Sequence, residues 1–134
     1  MHNVRRILVV EDDAHVRFFL SQALSSLGDG YEVVAKENGV QALAVIETTD
    51  LDLLVTDVSL PGLDGKVLTK SVRRQRPDLP VIWLTSISCN HIERQALGLD
   101  VAVVIEKPVE IATLRAAAQG VLKRTERFDG GHDR

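Results

Sequence analysis

The sequence predicts an α/β domain built on a doubly wound, five-stranded parallel sheet. Three observations lead there. Short apolar runs recur along the chain, and each is followed by a stretch with helical spacing, giving β-α five times over. The clearest runs, Ile7-Leu8-Val9-Val10 and Leu53-Leu54-Val55, are apolar without alternation, as strands covered on both faces are. With 134 residues the chain suits one domain and is too short for an eight-stranded barrel.

The first strand is Ile7 to Val10, followed by Glu11-Asp12-Asp13. Val16, Leu20, Ala23, Leu24 and Leu27 then recur at helical spacing. Asp12 or Asp13 caps that helix, and Gly28 and Gly30 end it. The second strand, Tyr31 to Ala35, is less apolar and suits a sheet edge. Asn38-Gly39 turns the chain into a short helix with Val40, Leu43 and Ile46 on one face. The third strand runs into Asp57, and Pro61-Gly62 and Asp64-Gly65 punctuate the loop after it. A third helix spans about Asp64 to Gln75, with Val67, Leu68 and Val72 inward. Val81-Ile82-Trp83-Leu84 forms strand four, ending at Thr85, with Trp83 in the core. A polar stretch with Ser86, Ser88, Cys89 and Asn90 leads to a short helix near His91 to Leu97. Strand five is Val101 to Ile105, expected at an edge and followed by Glu106-Lys107-Pro108. The last helix turns Ile111, Leu114, Ala118 and Val121 inward. Residues 1–122 are read as the domain, and 123–134 as a flexible charged tail.

Composition narrows the function classes. Apolar residues make up 45% and charged residues 26%, an ordinary globular balance. A net charge of −3 argues against a general nucleic-acid surface. No apolar run approaches the roughly 20 residues that span a bilayer, and the N-terminus does not read as a signal peptide. The single cysteine excludes an internal disulfide and fits a cytoplasmic location. His2, His15, His91 and His132 lack metal-ligand spacing and read as solvated. Lys70, Arg73, Arg74 and Arg76 read as a solvated cluster that complements a helix dipole.

The chemistry lies at the strand ends. In a parallel sheet the carboxyl ends of the strands share one rim, where ligands bind. That rim carries Glu11 and Asp12 after strand one, Asp57 after strand three, Thr85 after strand four and Lys107 after strand five. Asp57 alone would read as a capping acid. Three crowded carboxylates, however, repel one another, and an all-oxygen site with few protein ligands suits Mg2+. A hydroxyl and an ammonium nearby complement an anion with several oxygens. Together they make a phosphoryl-transfer site with the Asp57 carboxylate as nucleophile.

These residues carry a resemblance. ILVVEDD at strand one, TDVSLPGLDG around Asp57, WLTS at strand four and IEKP after strand five resemble the motifs of response-regulator receiver domains of two-component signalling, the CheY-like superfamily. They span residues 7 to 108 in the right order. The resemblance implies a flavodoxin-like fold with strand order 2-1-3-4-5. It implies that Asp57 accepts a phosphoryl group from a sensor histidine kinase or histidine phosphotransfer protein. Asp12 and Asp57 would bind Mg2+ directly, Glu11 through water, and the backbone carbonyl of Ser59 would be another ligand. Thr85 and Lys107 would hold the phosphoryl oxygens, and Lys107-Pro108 would be cis.

Three positions depart from the family's pattern. Val104 stands in place of a switch aromatic, and Ser86 follows the threonine where Ala or Gly is usual. Asp100 occupies the place of a glycine before strand five. Ser59 and Ile87 flank the approach of hydrolytic water, and neither supplies an amide or carboxylate to orient it, so a long-lived phosphorylated state is expected. The expected output is contact with a downstream protein, without direct nucleic-acid or membrane binding, and a homodimer stays open. A stand-alone regulator, a relay intermediate and a receiver within a longer chain all fit. The chain is expected to be a switch with at most slow self-catalysed phosphorylation and dephosphorylation. A haloacid-dehalogenase-like phosphatase would place its nucleophile after strand one in a D-x-D pattern. A flavodoxin-like cofactor binder would need a loop rich in Gly, Ser and Thr there, where this chain has acids.

Overall fold

The computed structural model describes residues 4–87 and 90–132, with side chains described as far as Arg124. His2, Ser88, Cys89 and the His132 side chain therefore lie outside the described residues. Five strands and five helices alternate: β1 Arg5–Val10, α1 Ala14–Ser25, β2 Tyr31–Lys36, α2 Gly39–Thr48, β3 Leu53–Asp57, α3 Gly65–Gln75, β4 Val81–Thr85, α4 Asn90–Gly98, β5 Val103–Glu106 and α5 Ile111–His132. The strands form one parallel sheet in the order β2-β1-β3-β4-β5, as the resemblance implies, with β2 and β5 at its edges.

Strand periodicity divides the core into two layers. Ile7, Val9, Leu53, Val55, Ile82 and Leu84 pack with residues of α1 and α5. Leu8, Val10, Leu54, Val81 and Trp83 pack with residues of α2, α3 and α4. The central strands are thus buried on both faces, which is why β3 and β4 read as unbroken apolar runs. Full burial of a leucine such as Leu54 contributes about 2 kcal/mol.

Caps set where three helices begin. Asp13, rather than Asp12, caps α1 by accepting from the Val16 N–H, and its carboxyl lies below the ordinary value chiefly because of that bond. Asn38 accepts from Gln41 N–H at the start of α2, and Asp64 accepts from Val67 N–H at the start of α3.

Several expectations are corrected. Val40, Val67 and Ile111 do not face inward; they are 68%, 44% and 46% exposed. Each helix turns only one stripe of its surface to the core, and these three positions fall outside it. In α3 Leu68 takes the core position beside Val67, and in α2 Gly39, Ala42 and Ile46 do so. β5 starts at Val103, later than its apolar run, because Val101 is still tied to the end of α4. Val101 donates to Ala96 O and Ala102 to Val81 O as the chain leaves α4. Apart from these corrections, the helical backbone of α5 continues past Lys123 as far as His132.

The basic cluster is not uniformly solvated. Arg73 is half-buried, and its guanidinium donates to the carbonyls of Leu99 and Leu79 at 2.8 Å and of Asp100 at 3.1 Å. Burial holds its pKa below the usual arginine value. It therefore fastens α3 to the turn before β5. Asp100 in that turn has φ +59, which explains why the family places glycine there; a short acid is among the few side chains that tolerate the left-handed region.

Candidate functional site: an acidic rim closed by Lys107

The ends of β1, β3, β4 and β5 deliver polar groups to the same rim. Glu11 follows β1 and is only 1% exposed, Asp12 beside it is exposed, and Asp57 closes β3 at 6%. Ligand oxygens of these three acids lie within 4.8 Å of one another. Three carboxylates at that spacing need compensating positive charge.

Lys107 supplies part of it. Its ammonium donates to Asp57 Oδ2 at 2.5 Å and to Glu11 Oε1 at 2.8 Å. The Lys107 N–H donates to Thr85 O at 2.7 Å, which fixes the backbone from which the side chain reaches across. The Lys107-Pro108 bond is cis, as the resemblance implies. Burial works against the charge of Lys107, but hydrogen bonds and attraction from Asp57 and Glu11 outweigh it and raise the pKa above the usual lysine value. Burial raises the pKa of Glu11 above the ordinary carboxylate range, opposed by Lys107 and by the Asp13 N–H, which donates to Oε2 at 3.1 Å.

Asp57 is held at both oxygens, since Ser59 N–H donates to Oδ1 at 3.1 Å. Its backbone is equally confined. A methyl on Gly65 would lie 2.1 Å from the Asp57 carbonyl oxygen, so only glycine lets α3 start there. A methyl on Gly39 would lie 2.2 Å from Leu63 O, so the start of α2 presses on the loop after Asp57.

Thr85 is buried on the same rim, but its hydroxyl is engaged in its own loop. It donates to Ile87 O at 2.9 Å and accepts from Ile87 N–H at 3.0 Å. Ser59 and Ile87 are both exposed. Two supporting residues escaped the sequence reading. Arg17 donates to the carbonyls of Glu11, at 2.8 Å, and Asp12, at 3.3 Å, and so holds the acidic loop. Its only sequence signal is its position one turn into α1 after the acids. Thr69, fully buried within α3, accepts from Trp83 Nε1 at 2.9 Å. Nothing local in the sequence marks that contact.

Residues 7–119 match the family described as the response regulator receiver domain. The chain is 36% identical over 126 residues to the response regulator MprA of Mycobacterium avium, covering 92% of this chain and 54% of that protein. It is 36% identical over 126 residues to a probable transcriptional regulator, ycf27, of Cyanophora paradoxa, covering 92% and 51%. The chain thus spans about half the length of the curated relatives it matches. Among solved structures, a CheY-like receiver domain protein of Methanospirillum hungatei superposes with a TM-score of 0.88 at 27% identity, covering 94% of this chain and 99% of that one. The chemotaxis response regulator CheY4 of Vibrio cholerae gives 0.81 at 26% identity, covering 89% and 99%. The fold, the acidic rim and these likenesses agree: the chain belongs to the response regulator receiver domain family of two-component signalling, whose members are phosphoacceptor switches.

Proposed function

We propose that Asp57 accepts a phosphoryl group from a phosphohistidine of a sensor kinase or phosphotransfer protein, in a Mg2+-dependent reaction, and passes the signal on by protein contacts. The observation that carries this reading is the Lys107 ammonium shared between Asp57 and Glu11 inside a trio of carboxylates. The Asp57 carboxylate attacks phosphorus, the P–N bond breaks, and its electron pair returns to the imidazole nitrogen. Lys107 holds its positive charge beside the phosphoryl oxygens as the carboxylate charge is spent in the new bond. The donor set fits a hard divalent cation: all oxygens, with exposed Asp12 leaving room for water. Asp12, Asp57 and the Ser59 carbonyl would hold Mg2+ directly, and Glu11, whose oxygens are already engaged by Lys107 and Asp13 N–H, would do so through water. Bound there, Mg2+ supplies charge neutralisation between carboxylates and phosphoryl oxygens.

Switching starts at Thr85. Its proton is given to Ile87 O; turning the hydroxyl to a phosphoryl oxygen releases that carbonyl and frees the loop leading to α4. Val104, half-buried on edge strand β5, cannot swing a ring in response. The phosphoryl donor approaches beside Lys107, where His15, Val16, Phe19, Pro108 and Val109 line a groove of about 620 Å³, a surface suited to a helical partner. Among the described residues no helix is long and apolar enough to cross a membrane, in keeping with a cytoplasmic switch. Self-catalysed phosphorylation and hydrolysis are slow in this reading, and no substrate is turned over.

Asp12→Ala is expected to weaken Mg2+ binding at least about tenfold, since one of few charged ligands is lost to a cation that releases water reluctantly. Calorimetric titration measures it, and equal affinities in parent and variant would contradict the assignment. The lifetime of the phosphorylated state is a second test. Ser59 is too short, and Ile87 too apolar, to orient attacking water. A Ser59→Asn/Ile87→Glu double variant should lose its phosphoryl group faster by about tenfold, less than the roughly hundredfold or more of a full general acid or base because these groups only orient the water. Equal decay in parent and variant would show that these positions do not set the clock.

A further inference from the structure

A buried polar pair outside the rim ties two of its walls together. Thr69 and Trp83 are both 0% exposed, and Trp83 is the chain's only tryptophan. The Thr69 hydroxyl accepts from Trp83 Nε1 at 2.9 Å and donates to Gly65 O, one turn earlier in α3, at 2.7 Å. Each partner depends on the other: a buried indole N–H without an acceptor is costly, and an apolar side chain at position 69 would leave it so. Threonine is also a poor residue for a helix interior, so filling space does not explain it.

The pair connects to the phosphoacceptor. Gly65, whose carbonyl takes the Thr69 proton, packs its Cα against the Asp57 carbonyl and donates its N–H to Val58 O at 2.9 Å. That Asp57 carbonyl also accepts the hydroxyl of buried Thr56 at 3.0 Å. At the other end of the pair, Trp83 lies two residues before Thr85 on β4. One unbroken series of contacts thus runs from the strand that carries Thr85, through the Trp83 indole and the Thr69 hydroxyl, to the helix turn that abuts Asp57.

We propose that Thr69 is a positioning residue for phosphorylation: by bonding to Trp83 on β4 and to Gly65 in the first turn of α3, it fixes Asp57 relative to Thr85. This inference rests on Asp57 being the phosphoacceptor. A pair that served only packing would change stability and leave the rate of the folded protein alone. A pair that sets geometry changes the rate in protein that is fully folded, because small misplacements at a reacting centre are amplified.

The test uses the full chain with acetyl phosphate and saturating Mg2+, under conditions where circular dichroism shows each variant folded. Thr69→Val, which keeps the shape and removes the hydroxyl, should form the phosphoryl adduct about tenfold more slowly. Thr69→Ser, which restores the hydroxyl, should recover to within about twofold of the parent. Trp83 emission should respond to phosphorylation in the parent, and that response should be lost in Thr69→Val. A Thr69→Val variant that is labelled at the parent rate with the emission response intact would overturn the inference and leave the phosphoacceptor reading standing. So would Thr69→Ser as slow as Thr69→Val. A parent that takes up no phosphoryl group removes the phosphoacceptor reading itself, and this inference with it. Should Thr69→Val not fold, Trp83→Phe cuts the tie to β4 and keeps the Thr69–Gly65 bond. It is expected to slow labelling severalfold, and an unchanged rate overturns the proposal.

Discussion

Asp57→Asn is expected to take up no phosphoryl group from acetyl phosphate while keeping its fold. The amide keeps the shape of the side chain and retains an oxygen for the Ser59 N–H that now donates to Oδ1. It loses the nucleophilic charge, and its NH2 takes the place of Oδ2, so the bond from Lys107 to this side chain is lost. Lys107 stays anchored by Glu11, so no charge is stranded. Removing one of three crowded carboxylates also relieves repulsion, so stability should be little changed or slightly raised. The other acids are poor substitutes as nucleophile. Both oxygens of Glu11 are engaged and the residue is almost wholly buried, and Asp12 stands outside the Lys107 bridge. Intact mass after incubation reads the outcome; undiminished labelling of the variant would end this mechanism.

Lys107→Ala should behave differently, with two separable effects. The labelling rate should fall by about a hundredfold, the scale of losing one preorganised donor at developing charge. Mg2+ binding should not weaken, because a competing cation has gone. Stability without metal should fall. Glu11 would be left buried with only the Asp13 N–H as partner. The cost is about 2 kcal/mol, below that of breaking a fully buried pair because the rim is partly open to water. For a domain of this size that lowers the melting temperature by roughly 6 °C. The pH dependence has a definite sign. Burial already raises the Glu11 pKa, and losing Lys107 raises it further. The folded variant then binds more protons than the unfolded chain, so its stability falls as pH rises from the unfolded carboxyl value through the raised folded one. Intact mass against time reads the labelling rate, and differential scanning calorimetry in chelator reads the stability. A melting temperature equal to the parent's in chelator would show that Lys107 does not hold Glu11.

Much of this was legible in the sequence, and the reason is the sheet. Strands covered on both faces must be apolar throughout, so β1, β3 and β4 stand out as runs, and the residue that ends each run falls on the rim. Glu11, Asp12, Asp57, Thr85 and Lys107 were therefore found by position. Their pairing was not. That one ammonium bridges Asp57 and Glu11 depends on side chains brought together across up to 96 residues of chain, and that the Thr85 hydroxyl is occupied by Ile87 depends on the local path of the loop backbone. Helix faces were read less well, because apolar residues at helix starts and margins, such as Val40, Val67 and Ile111, follow the same periodicity as core residues. Arg73 and Thr69 illustrate the remaining gap. A basic residue among other basic residues, and a threonine within a helix, carry no local sign that one fastens the turn before β5 and the other caps a buried indole.

The most direct measurement is the mass of the intact protein after incubation with acetyl phosphate, followed by peptide mapping of the modified residue. One phosphoryl group per chain is expected, located on Asp57, formed in Mg2+ and absent in chelator. Acetyl phosphate consumed with no phosphoryl group retained, or a group found on any other residue, would contradict this expectation.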